Sequence, residues 1–566
     1  MNSILLLLIA VTLFIFGYRF YSKLISVWVF RLDSNYSTPS QIQAEGVEHA
    51  AGNRHLVFGH YSASLGTIAT IIGTGIAVIW GWIPAFLWLV VAGTLVAGVY
   101  GLSNLWLGLR QQGISLPLLT GELFGARARY ALFLLIFLPL LLVNAVFAVL
   151  TAQLLTDFPT AVLPFWLQIP VALGLGLFLY NRTDFEIIPA TLIALLAMAV
   201  LIYFSGKIPL VFNGALDVHI FNAPVFSLDA TTAWMLLLFI YLFYTTRLPI
   251  WKLARPRGYL TALQLGLMLI VTIVGVLVLH PAIVAPDFHY PEHSPTTLPW
   301  LFITLTGGAI AGVYVLAGGN IAAKQLAQET DARYLGYGAA LFDGALALSA
   351  LVIFAAGFDN LEAWKQYYAA WQTQTPAQIL GRYINGISYF AGALGMDTQT
   401  AGAIAAALVA SLAATGLEAG VRFQKTLVAE MRLQERAPSS NGLVLGLTFT
   451  IALALYADQI DQGVTLWPLL GSASLICTGL ILLLTSVVLL RLKRPVIFVL
   501  APAVLLLGAA NWALVSQFSR WWLQAQWLML TGGLFLFVLQ TWLLVEGLQA
   551  YRKAQGPMPK LDRAPL

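Results

Sequence analysis

The chain lacks most of what a catalytic or nucleotide-driven machine is built from. One cysteine, Cys477, stands among 566 residues, which excludes a disulfide framework and a Cys/His metal cluster. No Walker A pattern, no GxGxxG after a strand and no HExxH occurs, so neither ATP-driven pumping by this chain alone nor metalloenzyme chemistry is expected. Charge is scarce too: Asp, Glu, Lys and Arg make up 9% of the residues. The longest aqueous segments, about 21–62 and 357–399, are shorter than an ordinary catalytic domain. Lys and Arg are scattered over eight segments rather than gathered on one face, which speaks against nucleic acid as a partner. Neither an enzyme nor a resident cofactor is expected.

What fills the chain instead is apolar. Hydrophobic residues make up 60% and the mean hydropathy is +0.84. A hydrocarbon core roughly 30 Å thick takes about 20 helical residues to cross. About fifteen runs fit: near 2–20, 63–79, 82–108, 130–153, 164–180, 187–205, 230–250, 262–280, 298–321, 335–356, 400–421, 443–457, 465–490, 495–515 and 527–549. The pattern predicts an all-α polytopic membrane protein, with lipid as an obligatory partner. The run Ile4 to Phe16 is similar to a signal-peptide core but lacks a charged n-region and a small-residue cleavage site, so it is read as a helix of the mature chain.

The 29 Lys and Arg residues are read as lying outside these runs. Threaded with the N-terminus extracytoplasmic, they divide 25 to 4, with Lys207, Lys365, Arg382 and Arg520 in the minority. One missed span would reverse every later loop, so the bias orients the chain with its C-terminus cytoplasmic. On this reading Arg255-Pro256-Arg257 is a cytoplasmic turn whose arginines serve orientation alone. The segment 359–399, with Trp364 and Trp371 seven apart, is an extracytoplasmic loop carrying an amphipathic surface helix. A single transport domain spans 1–566, with a peripheral helix at 1–20, a core at 63–457, and peripheral helices plus a cytoplasmic tail at 465–566.

Two spans are rich in residues that weaken helices. The second carries Gly66, Thr67, Thr70 and Gly73; the ninth carries Gly308, Gly312, Tyr314, Gly319 and Asn320, preceded by Thr304. Glycine weakens a helix by about 1 kcal/mol relative to Ala, and paired broken helices point to a midplane binding site in secondary transporters. Close packing through small residues is the alternative. Asp343 lies about eight residues into the tenth span, roughly 12 Å at 1.5 Å per residue. An acid there must face the bundle or pair, and it serves either reversible protonation or a hydrogen bond to a neighbouring helix. Glu418 and Arg422, four apart, share one helical face as an interfacial ion pair or an ion-coupling pair. His60, read as beginning the second span, is either a proton relay, with an unperturbed imidazole near pH 6.5, or a capping or interface residue.

An ordered set of landmarks runs along nearly the whole chain: Tyr18-Arg-Phe-Tyr21, Val57-Phe58-Gly59-His60, Leu248-Pro249-Ile-Trp251, Pro256-Arg257, Gly336-Tyr337-Gly338, Glu418-Ala-Gly420-Val-Arg422 and Thr465-Leu-Trp467-Pro468-Leu-Leu-Gly471. In these the chain resembles the carbon starvation (CstA) family of bacterial inner-membrane transporters. The resemblance implies uptake of a small carboxylate such as pyruvate, or of peptides, driven by H⁺ or Na⁺. It also implies an inverted-repeat core related to the amino acid–polyamine–organocation transporters, with the second and ninth spans as its broken helices. The helix of Glu418 would then line a cation site beside the first of them. The chain departs from the family pattern at Tyr61, Tyr100-Gly101, Tyr314 and Ser474-Leu475, which thins the polar lining. Two classes of function follow: a secondary transporter, or a non-transporting nutrient sensor or structural subunit acting with a small membrane partner or as a homo-oligomer.

Overall fold

A computed structural model describes residues 3–43, 46–180, 184–205, 208–212, 216–220, 223–290, 295–310, 312–369, 374–431, 438–457 and 463–554. Among them the fold is helical except for one antiparallel ribbon, Leu216–Ile220 against Ala223–Leu228. Twelve helices are long and apolar enough to cross a membrane, and the bent pair Arg54–Leu65 and Ile68–Trp80 adds a thirteenth span. The shorter apolar helices Ala230–Thr245 and Asn441–Ala457 complete the set. Each of the fifteen runs therefore has its helix.

Burial sorts the helices into a centre and a rim. In Leu466–Arg491, 89% of the most apolar window is buried inside the protein, against 28% in Ile187–Phe204. The rim helix turns Ile188, Leu192, Ile193 and Leu196 outward, as lipid permits, because hydrocarbon tails are as apolar as the side chains they meet. The helix Gly463–Arg491, expected at the periphery, lies instead at the centre and packs on the irregular segment Phe302–Ile310. Its sequence is uniformly apolar, so composition could not distinguish an inner from an outer helix.

The site is positioned by ten helices: α1 (Arg54–Leu65), α2 (Ile68–Ala77), α3 (Ala126–Asp157), α4 (Ala230–Thr245), α5 (Ala254–Leu279), α6 (Val313–Ala323), α7 (Gly338–Ala356), α8 (Pro376–Gly392), α9 (Thr398–Met431) and α10 (Gly463–Arg491). Two expectations about aqueous segments need correction. Arg255-Pro256-Arg257 is the first turn of α5, where proline is tolerated because its missing N–H has no helical partner, and both arginines are buried. The cations therefore do not all lie outside the membrane helices. Segment 359–399 is not a single surface helix: it folds as Leu361–Tyr367 and α8, with Trp364 fully buried. Trp371 lies outside the described residues. Helix α8 does carry an apolar stripe, with Ile379, Leu380, Tyr383, Ile384 and Ile387 facing inward.

Candidate functional site

Both glycine-rich spans are interrupted. Between α1 and α2 the chain bends by 45°, with Gly66 at φ −68°, ψ 76° and Thr67 extended at φ −92°, ψ 172°. In the ninth span, Phe302–Ile310 winds as a wide π-helix, and Gly312 is extended at φ −87°, ψ 158° before α6 begins. The two interruptions face each other. A methyl group on Gly73 would meet the Thr304 carbonyl at 2.6 Å, and one on Gly308 would run into the Ala69 carbonyl. Those glycines allow backbone to lie on backbone; Gly308 also lines the cavity described next, and Gly73 does not.

A small cavity of about 30 Å³ lies where the interruptions meet, lined by Thr67, Gly308, Gly312, Tyr314, Asp343 and Trp467 among largely apolar neighbours from α3 and α10. Asp343, on α7, is buried. Its Oδ1 lies 2.7 Å from the Thr70 hydroxyl, which is 3.2 Å from the Gly308 carbonyl. A hydroxyl carries one hydrogen, so Thr70 satisfies both neighbours when the carboxyl is protonated and donates to it. No Lys, Arg or His pairs with Asp343 among the described residues. Across the cavity the Tyr314 hydroxyl donates to Asn144 Oδ1 at 2.6 Å, and Asn144 Nδ2 donates to Gln424 Oε1 on α9 at 2.8 Å.

The remaining sequence candidates fall elsewhere. Thr304 donates to the Trp300 carbonyl within its own helix. A methyl group on Gly319 would collide with the Asn104 amide, so that glycine is a packing residue. Asn320 Nδ2 reaches the Gly113 carbonyl at 3.4 Å, away from the cavity lining. Gly66 forms the bend itself, 3.4 Å from Asp343 Oδ1 if extended by a methyl group. His60 does not begin its helix. It is buried within α1 against Gly258, and neither ring nitrogen has a hydrogen-bond partner among the described residues.

A second buried cluster is built around Glu418 and Arg422. Glu418 accepts from the Thr245 hydroxyl at 2.7 Å, from Tyr241 at 3.0 Å and from Arg422 Nε at 3.2 Å. Arg257 donates through Nη1 to the same Tyr241 hydroxyl. Arg422 also donates to the Leu248 carbonyl at 3.3 Å and to Glu48 at 3.2 Å. Glu48 belongs to a strap, residues 46–52, laid over this end of the bundle. The strap is held by Ile250 N–H on the Val47 carbonyl at 3.1 Å, Trp251 Nε1 on the Gly46 carbonyl at 3.1 Å, and Gly52 N–H on the Gln325 carbonyl at 3.0 Å. Arg255 donates to the Ala50 carbonyl and, at 2.6 Å, to Gln325 Oε1.

Sequence reasoning missed Asn144, Gln424, Tyr241, Arg257 and Glu48. Asn144 had a usable signal, an amide in the middle of a 32-residue apolar helix. Glu48 had none, because an acid in an aqueous segment has no marked surroundings until the strap folds back.

The family described as carbon starvation protein CstA matches residues 2–385. The chain is 28% identical over 364 residues to a peptide transporter CstA of Campylobacter jejuni, covering 62% of this chain and 50% of that protein. It is 29% identical over 358 residues to the pyruvate/proton symporter BtsT of Escherichia coli, at 62% and 49% coverage. It is 25% identical over 586 residues to the peptide transporter CstA of Escherichia coli, at 93% and 81%. The chain spans about half the length of the first two. Among solved structures, a manganese transporter of Eremococcus coleocola aligns at 13% identity and a TM-score of 0.38 over 85% of this chain and 95% of that one. So low a score does not assign the inverted-repeat core. By the family match and the ordered motifs together, this polytopic membrane protein belongs to the carbon starvation protein family.

Proposed function

We propose that the chain is a gradient-driven secondary transporter, a proton symporter importing a small carboxylate such as pyruvate, or short peptides, across the bacterial cytoplasmic membrane. The observation that carries this reading is the cavity at the meeting of two interrupted helices, with Asp343 on its wall and no cation paired with that acid among the described residues. A buried carboxylate without a cationic partner is unfavourable, and a neutral acid completes the hydrogen-bond count with Thr70 and Gly308. Asp343 is thus the proton carrier in this reading. Glu418, held by a guanidinium and two hydroxyls, is a fixed anion of the gate, and sodium is the alternative coupling ion.

A cavity of about 30 Å³ has room for one or two water molecules and none for a peptide, so loading requires the helices to part. The Glu48–Arg422–Glu418 chain closes one end. The bias in Lys and Arg puts that end on the cytoplasmic side, with the N-terminus extracytoplasmic. Alternation between the ends then needs Arg422 to release one of its two carboxylates.

The test is uptake of labelled pyruvate and of dialanine into proteoliposomes, with an inward proton gradient imposed and sodium varied separately. Accumulation that follows the proton gradient is expected. Folded protein that moves neither solute under any gradient overturns the reading in favour of a non-transporting sensor. The apolar walls Ile72, Val143, Phe147 and Leu470 are the observation on that side.

A further inference from the structure

Arg257 is 1% exposed, yet its Nε and Nη2 have no hydrogen-bond partner among the described residues. Its plane is held by Phe165 and Tyr241, whose ring centroids lie 5.4 and 4.8 Å from the guanidinium carbon. Nη1 is engaged with the Tyr241 hydroxyl. The free atoms form the edge of the guanidinium that receives a carboxylate in two parallel bonds. Arg110 shows that use in the same molecule, with Nε and Nη2 on the two oxygens of Glu329 at 2.7 and 2.8 Å. Arg257 has the same pair of donors, buried and without a hydrogen-bond partner among the described residues.

Its place gives the edge a purpose. Thr67 lines the central cavity and abuts Gly416 of α9, where an added methyl group would come within 2.9 Å of the Thr67 methyl. Two residues further along α9 stands Glu418, whose Oε2 shares the Tyr241 hydroxyl with Arg257. The Thr67–Gly416 contact is apolar, made through a methyl group, and the polar chain beyond it runs from Arg257 through Tyr241 and Glu418 to Arg422, Glu48 and the strap.

We infer that the Nε/Nη2 edge of Arg257 is a carboxylate-binding site at the strapped end of the bundle, beside Tyr241 and Glu418. The inference rests on the transporter reading for one of its two carboxylate sources, the solute leaving the cavity. The other source is Glu418, which would exchange Arg422 for Arg257 through the shared Tyr241 and so free Arg422 and the strap. Lysine retains the charge but cannot supply a planar fork, so Arg257→Lys separates the two properties.

The experiment uses the full chain in nanodiscs, with Cys477→Ser and Ala51→Cys placing one reporter thiol on the exposed strap. Two quantities are measured: pyruvate affinity relative to pyruvamide, which lacks the carboxylate, and the labelling rate of the strap thiol by a membrane-impermeant reagent. If the solute is the source, Arg257→Lys weakens pyruvate binding by about tenfold and leaves pyruvamide binding unchanged. If Glu418 is the source, pyruvate affinity holds but Arg257→Lys alters strap labelling, and Glu418→Gln abolishes that alteration. Should Arg257→Lys not fold, Phe165→Leu, which loosens the guanidinium plane, is read the same way. A folded variant that changes neither quantity overturns the inference. Wild-type protein that binds no carboxylate counts against the transporter reading, and strap labelling still decides the role of Arg257.

Discussion

The Thr70 hydroxyl lies 2.7 Å from Asp343 Oδ1 and 3.2 Å from the Gly308 carbonyl, which joins three segments at the point where two helices are interrupted. One hydroxyl hydrogen cannot serve both acceptors, so the arrangement closes when Asp343 brings the second. Asp343→Asn supplies that hydrogen permanently. The expected outcome is folded protein with thermal stability near wild type, no accumulation of solute under a proton gradient, and retained solute exchange at equal concentrations. Gradient-driven accumulation by the Asn variant removes Asp343 from the coupling role.

Glu418→Gln keeps the shape but has one oxygen where the carboxylate has two, so one of the two hydroxyls that donate to it must turn to accept, and the buried anion beside Arg422 and Arg257 is removed. Removing one partner of a buried ion pair is destabilising by about 3–5 kcal/mol, and the Glu48 carboxylate that remains 3.2 Å from Arg422 places this variant near the lower figure. The melting temperature in detergent is expected to fall, with accumulation lost and exchange partly retained. Unchanged melting and unchanged accumulation would show that the Arg422 pair neither stabilises the fold nor gates transport.

The strap has its own pH dependence. Burial alone would raise the Glu48 carboxyl, but the adjacent Arg422 and the nearby Lys324 and Lys425 outweigh it and hold the carboxyl below its ordinary 4.5. A carboxyl depressed in the folded state contributes stability above its ordinary value, and that contribution is lost as pH falls through the lowered one. Labelling of Ala51→Cys, taken relative to the same thiol in unfolded protein at each pH so that thiolate content cancels, is therefore expected to stay constant through neutral and mildly acidic pH and to rise only below 4.5, whereas Glu48→Gln raises it already at neutral pH. A rise between about pH 5 and 7, in the range of an imidazole, would point to His49 instead.

Gly308→Ala places a methyl group against the Ala69 carbonyl, which is backbone and cannot swing away. Overpacking of this kind is destabilising by about 1–3 kcal/mol, so a lower melting temperature is expected. Gly442→Ala, which meets nothing within 4 Å, is the control. Equal melting of the two variants would mean that the interrupted helices do not pack through Gly308.

Tyr314→Phe removes the donor to Asn144 and leaves a buried amide oxygen unpaired, which is unfavourable by about 1–3 kcal/mol. Solute affinity measured by exchange is expected to fall more than the maximal rate, because Tyr314 lines the cavity but carries no proton. An unaltered affinity would place the bound solute away from Tyr314.

How far the site could be read from the chain depended on the kind of signal. Glycine and threonine within an apolar run announced both interruptions, since helix weakness is a local property. An acid at membrane depth announced Asp343 for the same reason. Arg257 was read as a turn residue because a proline between two arginines has the same composition whether it opens a helix or a loop. The packing roles of Gly73 and Gly319 depend on what another helix brings against them, and no local spacing records that.

The sequence by itself determined that the chain is a polytopic helical membrane protein, where its apolar helices lie, and that two of them break, because water-to-lipid transfer and helix propensity act residue by residue. Only the tertiary structure decided which acid lacks a cation, which glycines are contacts, that Gly463–Arg491 is central, and that Glu48 reaches Arg422. Those facts concern pairs far apart in the chain, including Glu48 with Arg422 and Thr70 with Asp343. Their energies depend on the distance and burial that packing sets.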